Sequence, residues 1–135
     1  MTRHWDLRLK DKYNISTKRY RELFYFCLQY PEWQSELEFL TDSLKAPELS
    51  GMPHGTEKSD TTANLAIRRA ELSKKCELIE QTALEADSEI YQYIIKNVTT
   101  DYAGYNYLRA VLNMPCGDQR FYKSRRRFFY LLDKK

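Results

Sequence analysis

Glycine and proline are scarce in this chain, and most of them are clustered. The 135 residues contain only four of each. The stretch 46–56 holds two prolines and two glycines, which predicts a loop or linker. A second break, 113–117, holds one of each. The rest of the chain has few places to turn, and no segment shows the convincing period-2 alternation of a strand, so we predict an all-α fold.

Apolar residues recur at helical spacing in six segments of the chain. Ser16 is a good N-cap for the first helix, and Ile15 and Tyr20 are placed to form a hydrophobic staple across that cap. Pro31 suits the first turn of the second helix. The predicted helices span 17–28, 31–44, 61–86, 88–97, 105–113 and 118–132.

The predicted helices divide the chain into four parts. At this length one domain of ordinary size is expected, so the parts can share one core. They are an N-terminal helical pair (1–45), a loop (46–60), a long central helix (61–87) and a C-terminal part (88–135).

The long central helix has apolar residues at the spacing of a coiled coil. Leu65, Leu72, Ile79 and Ala86 recur every seven residues. One interpretation is an ordinary amphipathic helix that packs on the first two helices. The other is a homodimer whose seam runs along residues 61–86.

Composition argues against several functional classes. No run approaches the roughly 18 apolar residues of a membrane span, and the first residues carry no apolar stretch, so we expect neither membrane insertion nor a secretory signal. The three cysteines have no CxxC or CxxH spacing, which disfavours a disulfide framework and a zinc module. We expect buried cysteines in a reducing cytoplasm.

An enzymatic function is also not expected. The two histidines, His4 and His54, are far apart, and the chain has no GxxxxGK[ST], GxGxxG, HExxH or GxSxG motif. We therefore predict no catalytic residue, no cofactor and no metal ligand.

Charge is distributed unevenly along the chain. Residues 1–30 carry a formal charge of +4, residues 31–90 carry −7 and residues 91–135 carry +6, which together give the net +3. A basic C-terminal third beside an acidic middle suggests that the C-terminal end contacts a polyanion.

The segment 105–132 has the layout of a helix-turn-helix. Its first helix has three inward-facing apolar residues, Leu108, Val111 and Leu112. After a turn of about four residues, the second helix has an inward side formed by Phe121, Phe128, Leu132 and the stem of Arg125. The opposite side is polar and basic, and consists of Gln119, Arg120, Lys123, Ser124, Arg126 and Arg127.

A polar and basic side is what a recognition helix needs, because it must contact both phosphates and base edges in the major groove of DNA. Gln119 and Arg120 lie in the first turn, where base contacts are usual, while Lys123, Arg126 and Arg127 fit phosphates or deeper bases. The helix macrodipole disfavours cations near the N-terminus, so the placement of Arg120 and Lys123 hints at function. The alternative is a solvated basic face with no ligand.

The same residues resemble a known family. The C-terminal stretch is similar to the sigma-region-4-like helix-turn-helix of phage and prophage regulators of the ArpU/RinA type. The resemblance rests on Tyr107-Leu108, Leu112, Met114-Pro115-Cys116-Gly117, Phe121-Tyr122, Arg125-Arg126-Arg127 and Phe128-Phe129, and on the run GTEKSDTTANLAIRR at 55–69.

The resemblance implies a transcription regulator that binds double-stranded DNA in the cytoplasm of a bacterial host cell. It also implies contact with host RNA polymerase. Two departures stand out: Gly117 replaces the usual serine-like cap, and the residues before Tyr105 lack the charged start of sigma-like helices. The second departure makes polymerase contact less expected than DNA contact.

Two alternative functions are also compatible with these residues. A small terminase-like packaging protein also joins a helix-turn-helix to an oligomerising helix, and ring-sized oligomers would favour it. A protein-binding helical adaptor or inhibitor would make no DNA contact, and it would keep its target after Arg120 and Lys123 were replaced by alanine.

Overall fold

The computed structural model describes residues 12–45 and 56–135, and within these two ranges it contains helices and no strand. The predicted all-α fold is confirmed. In chain order the helices are α1 (Thr17–Leu28), α2 (Tyr30–Lys45), α3 (Thr56–Ala86), α4 (Tyr91–Val98), α5 (Tyr105–Ala110) and α6 (Asp118–Asp133).

The predicted helices are present, but several ends differ. Helix α3 begins at Thr56, five positions before the predicted start, so the last part of the expected loop is helical. The remainder of that loop, 46–55, lies outside the described residues. Helix α4 begins at Tyr91 because residues 88–90 form a turn after α3.

The start of α1 follows the predicted signals. The Ser16 side chain accepts a hydrogen bond from the backbone N–H of Arg19 at 3.1 Å, as an N-cap residue should. Ile15 and Tyr20, the two residues of the expected staple, are both buried. One residue, Gln29, separates α1 from α2.

Helix α3 is the central element and packs along α2, α4 and α6. Leu72, Cys76, Ile79 and Ala83 are buried in the core that these helices form. This half of α3 is amphipathic as predicted, but its main packing partners are α2, α4 and α6, and α1 is not among them. The same side chains are covered by other helices of the same chain.

One hydrophobic core extends from Ile15 before α1 to Leu132 in α6. Helix α1 contacts α2, α4 and α6, and the Arg19 Nε donates to Asp133 at 2.7 Å, which ties the start of α1 to the end of α6. The N-terminal helical pair and the C-terminal segment thus stabilise each other. The position and orientation of α6 therefore depend on its packing against α1, α3 and α4.

Candidate nucleic-acid interface

Helix α5 is shorter than predicted. It ends at Ala110, and Asn113 then takes a left-handed backbone conformation with φ of 58°. The backbone N–H of Met114 closes the turn on the Leu108 carbonyl at 3.0 Å. Residues 111–117 therefore connect α5 to α6, and the predicted turn of about four residues is wrong.

The inward side of α5 also differs from the prediction. Leu108 is buried and Leu112 is half-buried, as expected. Val111 is 56% exposed, because the helix ends before it and the chain has already changed direction. The prediction for Val111 extrapolated helical periodicity into a turn.

Arg109 holds the connection in place, a role that the sequence analysis missed. Its Nη1 donates to the backbone carbonyls of Met114 at 3.0 Å and Cys116 at 3.2 Å. Tyr105 at the start of α5 packs against Phe121, with ring centroids 6.0 Å apart. These contacts fix the start of α6 relative to α5.

The inward side of α6 is as predicted. Phe121, Phe128 and Leu132 are buried, and Arg125 is buried with them. The Arg125 guanidinium lies 4.9 Å from the centroid of the Phe129 ring, and its Nη2 donates to the Tyr20 hydroxyl at 3.2 Å. Packing on aromatic rings is a favourable environment for a guanidinium.

Asn97 connects buried Arg125 to the loop before α5. Its Oδ1 accepts from Arg125 Nε, and its Nδ2 donates to the backbone carbonyl of Ala103 at 2.8 Å. The buried arginine therefore joins α6 to α1, to α4 and to the α4–α5 loop. This makes Arg125 a structural residue, as predicted.

Three of the six predicted contact residues form an exposed row on α6. Gln119, Lys123 and Arg127 are spaced four residues apart and are all exposed, and Arg126 beside them is half-buried. A four-residue step advances a helix by about 6 Å, so the row runs along one side of α6 over about 12 Å. The sequence between 119 and 132 contains no carboxylate.

Ser124 does not lie on the outer side, and this part of the prediction is wrong. It is 7% exposed, and its hydroxyl donates to Asp87 Oδ2 at 2.8 Å. Asp87 directly follows α3, and its side chain covers the flank of α6 on which Ser124 lies.

Arg120 is exposed but already paired. Its Nε and Nη2 donate to the two carboxylate oxygens of Asp87 at 3.1 and 3.0 Å, and its Nη2 lies 3.2 Å from Glu89 Oε2. These contacts raise the pKa of the Arg120 guanidinium above its ordinary value, and the hydrogen bonds to Asp87 have the largest effect. They also offset the cost of a cation near the start of α6, so that cost no longer argues for function at Arg120.

Asp87 itself was not identified from the sequence. Burial raises the pKa of its carboxyl, but hydrogen bonds from Arg120 and Ser124 outweigh burial, and the net pKa lies below its ordinary value. A carboxylate directly after the C-terminus of a long helix opposes the macrodipole of that helix. That local conflict was the available signal for a tertiary partner.

Within the described ranges, no three histidine, cysteine or acidic side chains are grouped so that they could hold a metal ion. In the same ranges, none of the helices combines the length and apolar character of a membrane span. No protein-family model matches the chain, and neither a curated protein nor a solved structure matches it.

Proposed function

We propose that this protein binds double-stranded DNA by placing the outer side of α6 in the major groove. The observation that carries the proposal is the exposed row Gln119, Lys123 and Arg127 on a helix whose opposite side is buried. A rigidly held helix with long polar side chains on its exposed side suits the major groove, which is about 12 Å wide.

Each side chain in the row has a chemical role in this proposal. The Gln119 amide can donate to and accept from adenine, while Lys123 can contact guanine or phosphate. Arg127, with half-buried Arg126 beside it, is placed further along α6 to contact phosphates. The absence of carboxylates from 119 to 132 removes repulsion along the phosphate backbone.

The biological role that we propose is transcription regulation of the phage or prophage type. It combines the DNA-binding surface with the resemblance of 55–69 and 107–129 to ArpU/RinA-type regulators. A dimer on DNA would have to use a surface other than the buried side of α3, because Leu72 and Ile79 lie in the core of one chain.

The test compares two double variants that remove the same charge. Lys123→Ala/Arg127→Ala removes two cations of the row, whereas Lys18→Ala/Lys74→Ala removes two exposed cations from α1 and α3. Binding to a duplex selected from a random library is measured by anisotropy at about 50 and 200 mM salt. The proposal expects the first variant to bind about tenfold or more weakly, with a salt slope lower by about 1.8.

The control variant should bind nearly as wild type does, since its cations lie on other helices. Equal weakening by both variants would mean that only net charge matters, and would count against α6 as the reading helix. If both variants bind DNA as tightly as wild type does, the outer side of α6 is not the DNA-binding surface.

A protein-binding adaptor is the second candidate, favoured by one observation. Phe39 on α2 is 69% exposed and Ile67 on α3 is 57% exposed, on helices rich in carboxylates. An adaptor would capture a protein target equally well after Lys123→Ala/Arg127→Ala. A terminase-like protein would instead keep DNA binding and sediment as a ring-sized oligomer.

A further inference from the structure

The guanidinium of Arg120 has two carboxylate partners with different surroundings. Asp87 binds one edge of the guanidinium through Nε and Nη2, with distances of 3.1 and 3.0 Å. Glu89 contacts only Nη2, at 3.2 Å. Among the described residues, none accepts a hydrogen bond from Arg120 Nη1.

The Asp87 carboxylate is held firmly. Its side chain is 11% exposed, and it also accepts from the Ser124 hydroxyl at 2.8 Å and from the backbone N–H of Glu89 at 3.1 Å. Four donors from three residues therefore fix its position. An arginine that is paired side-on with such a carboxylate loses rotamer freedom and points in a defined direction.

The Glu89 carboxylate is much less constrained. Its side chain is 75% exposed, and its contact with Arg120 is monodentate. An exposed ion pair of this kind contributes little and is readily exchanged for another anion. A phosphate oxygen is an anionic acceptor that suits the same guanidinium atoms.

We propose that Asp87 is a positioning residue for Arg120, and that Glu89 occupies the place that a DNA phosphate takes on binding. This inference rests on the proposed function, since it assigns Arg120 to the same DNA interface. Asp87 aims the guanidinium, and Glu89 competes with DNA for its outer N–H groups. Glu89 thereby lowers affinity for any duplex, and it does so through Arg120.

A double-mutant cycle tests the role of Glu89. Glu89→Gln should tighten binding to the selected duplex by about threefold, because it removes a competing anion. Arg120→Ala should weaken binding by about tenfold. In the Arg120→Ala background, Glu89→Gln should have almost no further effect, because the competition no longer exists.

Asp118→Asn is the matched control for charge. Asp118 is exposed at the first position of α6 and makes no contact with Arg120. Its replacement by asparagine removes the same charge as Glu89→Gln, close to the same interface. Its effect should be equal in the two backgrounds. If Glu89→Gln also acts equally in both backgrounds, the effect is a general field and the proposed competition is wrong.

Arg120→Lys tests the role of Asp87 while Asp87 itself stays unchanged. Lysine keeps the charge but cannot pair side-on, so the variant should lose most of the contribution of Arg120 to binding. Asp87→Asn should weaken binding only when Arg120 is present, with folding checked by circular dichroism. An Arg120→Lys chain that binds as wild type does would overturn the positioning role.

The outcome separates this inference from the proposed function. If wild type binds DNA and Lys123→Ala/Arg127→Ala weakens that binding, but substitutions at Arg120 and Glu89 leave it unchanged, only the inference is overturned. Wild type that binds no duplex at low salt would overturn both.

Discussion

The Asp87 carboxylate and the Arg120 guanidinium meet side-on across 33 positions of sequence, with N–O distances of 3.1 and 3.0 Å. Each is unfavourable within its own segment, because an anion follows the C-terminus of α3 and a cation lies near the N-terminus of α6. Their contact brings a cation to the end of α3 and an anion to the start of α6, beside the charge that each end already carries. The pair therefore joins the two helices and offsets the unfavourable interaction of each charge with the macrodipole of its own helix.

Asp87→Asn should lower the free energy of unfolding by about 2 kcal/mol at neutral pH, since it weakens charge-assisted hydrogen bonds from Arg120 and Ser124. The pKa of Asp87 is lower in the folded chain than its ordinary value, so its charged form stabilises the fold above that value. This stabilisation is lost as the pH falls through the folded pKa. Urea unfolding at about pH 7 and pH 3 should show the difference from wild type shrinking in acid.

Glu38→Gln is the control for this pH dependence. Glu38 lies exposed on α2, and its replacement should change stability by less than about 0.5 kcal/mol at either pH. A difference between wild type and Asp87→Asn that stays constant with pH would contradict the hydrogen-bonded carboxylate.

Neighbouring arginines of α6 should give opposite phenotypes. Arg125→Ala should lower the free energy of unfolding by about 3 kcal/mol, because it removes a buried side chain and its bonds to Asn97 and Tyr20. Arg127→Ala should change stability by less than about 0.5 kcal/mol and should weaken DNA binding. Thermal unfolding measures the stability of each variant, and anisotropy on the same samples measures its DNA binding. A destabilised Arg127→Ala chain would argue against an exposed Arg127 that makes no stabilising contact.

Leu72→Ala should lower the free energy of unfolding by about 3 kcal/mol, because Leu72 is fully buried in the core of one chain. Ile67→Ala, on the same helix but 57% exposed, should cost less than about 0.5 kcal/mol. The urea midpoint of each variant should be independent of protein concentration. A midpoint that rises with concentration in wild type and not in Leu72→Ala would support a dimer seam through this residue.

The cysteines should be protected in the folded chain. Burial raises the pKa of the Cys27 thiol to about 12 and that of the Cys76 thiol to about 11. Cys116 is also buried, and burial raises the pKa of its thiol. Since the thiolate is the reactive form, an aromatic disulfide reagent at about pH 8 should react slowly with native protein. In urea all three thiols should react at once. Rapid reaction of Cys27 in the native state would contradict its position in the core.

The positions of most helices, and the side of each that faces inward, follow from the amino-acid sequence alone. The hydroxyl of Ser16 marks the start of α1, and the spacing of Phe121, Phe128 and Leu132 identifies the buried side of α6, with Arg125 on it. These properties are local, because a cap and a helical repeat depend only on residues within a few positions of each other.

The groups that cover the flanks of α6 depend on contacts between helices that are distant in sequence. Ser124 and Arg120 lie beside the buried side of α6. The carboxylate of Asp87 covers Ser124 and pairs with the Arg120 guanidinium. Val111 became exposed because α5 ends at Ala110. Periodicity gives the direction of a side chain from the axis of its own helix, but a neighbour on another helix is set by how the whole core packs.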